Sequence, residues 1–302
     1  MSALAAAARR SYLECTARQR LAALLDEDSW TEFVGPAERV VSPHLATLGL
    51  PPQLDDGIAV GAGRLQDKLV LAAAQEGGFL GGAVGEAHGA KLTGLLERAA
   101  RVKPAGVLLL LDTGGVRLHE ANAGLVAIAE IQRAVFAARH AGVPVIVLIG
   151  GANGCYGGLG IVAGCCDHVI MSEQGRLSVS GPEVIESARG VEEFDARDRA
   201  LVWRTMGAKH RYLQGHVAQL ADDDVAAFRA AAASLLGRPR PLDLDAVERR
   251  HAALAARLAR FGAADDPVEI WRELGVAAPE QVPLMEAEEF TRAADGAVER
   301  FD

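Results

Sequence analysis

Apolar residues near the start of the chain recur at helical spacing. Leu4, Leu13, Leu21, Leu24 and Leu25 stand among Arg and Gln, which predicts an amphipathic helix over 3–25. Pro36, Pro43, Pro51 and Pro52 follow, and residues 35–56 read as an irregular connection. The pattern then changes. Short apolar runs at 58–62, 68–74, 106–111, 143–149 and 167–171 read as strands, with another near 176–179. Helical periodicity lies between them at 90–102 and 119–141, and starts again near Leu159. Strands and helices alternate from about residue 57 to 220, which predicts an α/β architecture. Beyond that, 222–236, 244–260, 267–274 and 286–300 are helical and charged, interrupted by Gly237, Pro239 and Pro241. The expected organisation is an N-terminal helix and connection over 1–56, an α/β core over 57–221 and a helical C-terminal extension over 222–302.

Composition narrows the class. The chain has 302 residues, 50% hydrophobic and 24% charged, which is the balance of a globular protein and excludes wholesale disorder. The apolar runs are far shorter than the roughly 20 residues a membrane helix needs. The apolar stretch 3–8 is too short for a signal-peptide core, and Arg9 and Arg10 follow it instead of preceding it. Net charge is −9, from 31 Lys and Arg against 40 Asp and Glu, so neither nucleic acid nor an anionic membrane is expected as a partner. The four cysteines, Cys15, Cys155, Cys165 and Cys166, form no CxxC pair; a zinc ribbon is excluded, and a reducing cytoplasm fits.

Several motifs fail on their own chemistry. A phosphate loop needs Gly directly before Lys and a hydroxyl directly after it; here Ala90 separates Gly89 from Lys91, and Leu92 follows. Gly158, Gly160 and Ala163 satisfy the letters of a dinucleotide fingerprint, but Ile149 ends its strand too early and Glu173 comes too soon, so close packing of a helix on a sheet is expected there. Cys165, Cys166, Asp167 and His168 are consecutive, and their side chains cannot converge on one metal ion. No GxSxG is present, and no local signature supplies a base for Cys155 as a nucleophile.

Two glycine pairs share a context. Gly114 and Gly115 follow the strand at 106–111 and precede a helix; Gly157 and Gly158 follow the strand at 143–149 and precede another. A glycine pair between a strand end and a helix start exposes backbone N–H groups near the positive end of a helix dipole. Two such pairs from successive units would suit a main-chain oxyanion hole; equally, each would suit a tight turn.

Residues 17–32, with Leu24, Leu25 and Asp26 before Trp30 and Glu32, are similar to the N-terminal helix and turn of the carboxyltransferase branch of the crotonase superfamily. Gly78, Phe79, Gly81, Gly82, Gly85 and Glu86, with Lys91 and Glu97-Arg98-Ala99, resemble its second motif. Gly114, Gly115, Arg117 and Glu120, then Gly142 and Pro144, Gly157 and Gly158, and Gly181, Pro182, Val184, Ile185 and Glu186 follow in family order. Around 111–122 and 206–213 the sequence most resembles β subunits of biotin-independent malonate decarboxylases. His119 stands where the family has Gln, and Ala218 where it has Asp.

The resemblance implies a ClpP/crotonase-like spiral of ββα units and decarboxylation of a malonyl thioester to an acetyl thioester through an enolate. It implies a γ subunit sharing the site, an acyl carrier protein subunit bearing the thioester on a phosphopantetheine-type arm, an acyl-transferase α subunit, and no cofactor bound directly. The amides of Gly114, Gly115, Gly157 and Gly158 are expected to hold the enolate. Arg117, Gly81, Gly82 and Cys155 are expected to bind substrate, with Arg117 open either to an acyl-carrier arm or to pairing with Glu120. The alternatives are a subunit that moves the malonyl carboxylate to biotin, an acetyl-CoA carboxylase-type carboxyltransferase β chain, or a scaffold whose glycine loops only pack.

Overall fold

The computed structural model describes residues 10–52 and 56–299. One seven-stranded sheet runs in sequence order: β1 (Thr31–Glu32), β2 (Ile58–Leu65), β3 (Lys68–Gln75), β4 (Gly106–Leu111), β5 (Val145–Ile149), β6 (His168–Ser172) and β7 (Gln219–Ala221). β1, β2 and β3 pair antiparallel, and β3 through β7 pair parallel. The helices are α1 (Ala17–Leu24), α2 (His44–Thr47), α3 (Glu86–Val102), α4 (Ala123–His140), α5 (Gly157–Cys165), α6 (Pro182–Arg189), α7 (Arg199–Met206), α8 (Ala208–Leu213), α9 (Val225–Leu235), α10 (Leu244–Phe261), α11 (Pro267–Glu273) and α12 (Ala287–Ala293).

The central strands are apolar at every position because both faces are covered. Val107, Leu109 and Leu111 of β4, with Val145, Val147 and Ile149 of β5, pack against α3, α4 and α5. The alternate residues Leu108, Leu110, Ile146 and Leu148 face α1 and α9. α9 is thus a layer of the core, although it lies within the stretch that reads as an extension. α11, α12 and the 3-10 turn Pro279–Leu284 build a separate apolar cluster, around Trp271, Val282 and Phe290 against Leu213 of α8.

Between strand and helix, each unit of the spiral makes a short crossing segment. Val84 bridges Val116, and Cys155 bridges both Thr113 and Leu177. Residues 176–179 join this crossing ladder instead of the main sheet. The N-terminal helix also differs from its expectation. Within the described residues it begins only at Ala17, because Thr16 caps it in a reciprocal pair with Gln19. Residues before it are held to the start of α9: the Ser11 hydroxyl and the Leu13 N–H donate to Asp223 at 2.6 and 2.8 Å. Leu4 and residues 3–9 of the expected helix lie outside the described residues.

Candidate active site

β4 ends at Leu111, and the chain turns through Asp112, Thr113, Gly114 and Gly115 before Val116 enters the crossing ladder. Thr113 is fully buried and fixes the turn twice: its N–H donates to Gly154 O at 2.8 Å, and its hydroxyl accepts the Gly115 N–H at 3.1 Å. Gly115 has φ +142°, a conformation glycine adopts without strain. The Gly114 N–H donates to Gly81 O at 2.9 Å, which lays the Gly81–Gly82 turn against the same segment. A Cβ on Gly82 would collide with the Asp112 carbonyl oxygen.

A buried polar network supports this turn. Arg20 of α1 pairs with Asp112 at 3.1 Å, both side chains being almost fully enclosed. The Asn153 N–H donates to the other Asp112 oxygen at 2.8 Å. Gln75, at the end of β3, accepts the Asp112 N–H at 3.0 Å and donates to Gly82 O at 3.0 Å. Its amide also donates to His88 Nε2 at 3.2 Å; the His88 Nδ1–H then donates to Asp56 O at 3.0 Å, a tautomer assigned from these partners. Lys91 Nζ pairs with Asp56 Oδ2 at 2.8 Å. Arg117 completes the frame: it donates from Nε to Ala83 O at 3.0 Å, from Nη1 to Glu120 Oε1 at 3.1 Å, and from Nη2 to Asp56 O. Glu120 Oε2 accepts the Glu86 N–H at 2.6 Å, which places a carboxylate on the first turn of α3.

The second turn follows β5. Cys155 runs as a strand between its neighbours: its N–H donates to Arg176 O at 2.8 Å, its O accepts from Ser178 at 3.2 Å, and the Tyr156 N–H donates to Thr113 O at 3.0 Å. Gly157 has φ +64° and donates to Val179 O at 2.9 Å. A Cβ on Gly157 would lie 3.1 Å from Gly115 Cα, so the two glycine turns touch. Gly158 stands in the first turn of α5, where helix N–H groups have no partner within the helix, and its N–H has no protein acceptor among the described residues. A Cβ there would come within 2.5 Å of Ile128 Cγ1 on α4.

These contacts sort the residues expected from sequence. Both glycine pairs are brought together, but the Gly114 and Gly157 amides already donate to backbone carbonyls, and an N–H has only one proton to give. By the same count the Gly115 N–H is given to the Thr113 hydroxyl at 3.1 Å, so among the four amides only that of Gly158 is without a protein acceptor among the described residues. Gly81 is exposed beside them, whereas Gly82 is buried. Arg117 is 4% exposed, and all three of its guanidinium nitrogens donate to protein oxygens. Of its two expected roles, this conformation contains the pairing with Glu120. Cys155 is fully buried, and burial pushes its thiol well above the ordinary range. A β-branched residue at position 158 would therefore disturb the α4–α5 packing as well as any chemistry. Elsewhere, Asp167 pairs with Arg139 at 3.1 Å and His168 Nε2 donates to Arg238 O at 2.7 Å. Arg20, Gln75, His88 and Asp112 were not expected as site residues; Arg20 and Asp112 lie within segments that carry the family resemblance, at 17–32 and 111–122, but no role was read from them, and Gln75 and His88 are not among the residues that carry it.

The carboxyl transferase domain family matches residues 12–243. The malonyl-S-ACP:biotin-protein carboxyltransferase MADC of Malonomonas rubra is 38% identical, over 94% of this chain and 96% of its own length. Two solved assemblies are also similar. A Pseudomonas malonate decarboxylase hetero-tetramer in complex with malonate matches with a TM-score of 0.73 and 42% identity, covering 81% of this chain and 92% of that one. A Pseudomonas malonate decarboxylase MdcD–MdcE hetero-dimer matches with a TM-score of 0.67 and 36% identity, covering 83% and 97%.

Proposed function

The chain belongs to the carboxyl transferase domain family, and on that premise we propose that it is one subunit of a malonyl thioester decarboxylase. In this reading a homologous γ-type subunit completes the pocket, an acyl carrier subunit presents the malonyl group on its phosphopantetheine-type arm, and an acyl-transferase subunit loads the carrier. The observation that carries it is the contact between the two glycine turns, with the Gly158 amide lacking a protein acceptor among the described residues at the start of α5.

The chemistry follows from charge. Cleavage of the bond between the malonyl methylene and its carboxylate releases CO₂ and leaves the electron pair conjugated with the thioester carbonyl, as an enolate oxyanion. A donor at Gly158 binds that oxygen better than it binds the neutral carbonyl, and the helix dipole of α5 adds to the difference. Each such donor contributes roughly 3–4 kcal/mol in comparable sites. The departing carboxylate loses its charge, so exclusion of water favours the step. Protonation of the enolate carbon then gives the acetyl thioester.

Shielding from water needs a partner. Leu118 is 87% exposed, Val126 and Val179 are each 61% exposed and Val184 is 58% exposed, on segments flanking the two turns. An obligate interface over such residues would bury more than about 2,000 Å². The purified chain should therefore release no CO₂ from malonyl carrier until the γ-type subunit is added. Full activity of the chain alone would contradict the shared site.

The relative from Malonomonas rubra, a carboxyltransferase to a biotin protein, supports a second reading with the same enolate chemistry. Excess avidin distinguishes them. Unchanged CO₂ release by the assembled complex supports direct decarboxylation; loss of turnover supports transfer to biotin.

A further inference from the structure

α10 does not turn its apolar face to the body of the protein. Of its 18 residues, those partly covered are Ala246, Arg250, Ala253 and Arg257, and only Phe261 is buried. The large apolar side chains stand on the neighbouring face, in solvent: Leu244 is 70% exposed, Val247 52%, Leu254 39% and Leu258 72%. An amphipathic helix ordinarily buries its apolar stripe. Leu244, Val247, His251, Leu254 and Leu258 follow at intervals of three, four, three and four residues. That is the spacing of a seam along which two helices pack.

The stripe borders a groove. Val247 and Leu254 line it from α10, Phe136 lines it from α4, and Pro241 and Leu242 add to its apolar surface. Gly164 and Cys165 also line it, so it lies at the opposite end of α5 from Gly158. None of its lining residues is acidic, whereas four are arginines. Arg139 is paired with the buried Asp167 at 3.1 Å, and Arg250 has a partner of its own, so neither enters the charge balance. Arg240 and Arg249 remain, and no carboxylate pairs with either side chain among the described residues. The bond from the Arg240 N–H to Asp167 Oδ1, at 2.8 Å, is a main-chain one. Asp245 and Glu248, the acidic residues of α10, stand outside the groove.

We propose that this groove receives an acidic amphipathic α-helix of another subunit, with its apolar stripe on the α10 seam and its carboxylates facing Arg240 and Arg249. The inference rests on the reading of this chain as one subunit of a larger complex. The seam spacing selects a helix, and the two unpaired cations select an acidic flank. The segments outside the described residues do not qualify: residues 1–9 contain no Asp or Glu, and 53–55 and 300–302 are three residues each. A second copy does not fit either, because an isologous contact would bring one cationic groove against another. A contact along one helix is small beside the roughly 1,200–2,000 Å² of a stable interface, so it adds to an assembly held elsewhere as well.

The test is photo-crosslinking from Val247→p-benzoylphenylalanine in the complex purified with its subunits. Irradiation should join this position to one helix of another subunit, and mass spectrometry should show that helix to be rich in Asp and Glu. A crosslink confined to this chain or a second copy, one to a segment without acidic excess, or none at all overturns the proposal. Leu244→Glu with Leu258→Glu should weaken binding of the crosslinked subunit at least tenfold. The melting midpoint of the chain itself should not change, because both side chains are mostly in solvent. Arg240→Glu with Arg249→Glu should slow association about tenfold at low salt. Wild-type binding by either folded double variant contradicts the proposal. A crosslinked complex that releases no CO₂ from malonyl carrier leaves the docking intact and refutes the decarboxylase reading; an active complex without the crosslink does the reverse.

Discussion

The two glycine turns meet at one place but are held there by different forces. The turn at Gly114 and Gly115 rests on buried charge: Arg20 with Asp112, Lys91 with Asp56, and Arg117 with Glu120. The turn at Gly157 and Gly158 rests on main-chain pairing through Cys155 and on close apolar contact with Ile128. A backbone amide has no side chain by which it can be aimed, so its position depends on whatever grips the chain on either side. One grip fails when a charge loses its partner; the other fails when volume is mismatched.

That contrast orders the expected damage. The largest effect should come from Asp112→Ala, which strands Arg20 as an unpaired buried cation and removes the acceptor of the Asn153 N–H. Urea denaturation should show a loss of about 3–5 kcal/mol, with much of it recovered when Arg20→Met is added. Gly158→Ala should do less, about 1–3 kcal/mol from overpacking. In an Ile128→Ala background, which lacks all three crowding atoms, the same substitution should cost less or nothing, a coupling of roughly 0.5–3 kcal/mol. If Gly158→Ala proved as damaging as Asp112→Ala, the distinction between the turns would be lost. The smallest effect belongs to Cys155→Ala. It removes one buried atom about the size of a methylene and should cost roughly 1 kcal/mol. In the native protein at pH 8, iodoacetamide should modify half-exposed Cys165 before Cys155, because burial raises the Cys155 thiol and hides it.

Much of the second turn was legible in the sequence, and much of the first was not. β4 and β5 read as strands because both of their faces are buried, and the glycine pairs after them stood out for want of side chains. The polar frame was hidden. Arg20 sits on an amphipathic helix among other polar residues, where periodicity assigns it to solvent, yet it is 2% exposed. Gln75 ends a strand and Asp112 begins a turn, places where polar residues are ordinary. Their role depends on partners tens of residues away, which local pattern does not carry. β1 and β7 escaped for a different reason: at two and three residues, they are too short to show a period.

The central claim is that backbone amides, above all that of Gly158, stabilise the enolate. Replacing Gly158 with glycolic acid exchanges its N–H for an ester oxygen and adds no atom near Ile128. Turnover of malonyl carrier by the complex assembled with that protein is the most direct measurement. The account predicts a fall in kcat of about 10²–10³-fold with little change in KM and an unchanged melting midpoint. An unaltered kcat in the folded, assembled complex would contradict it.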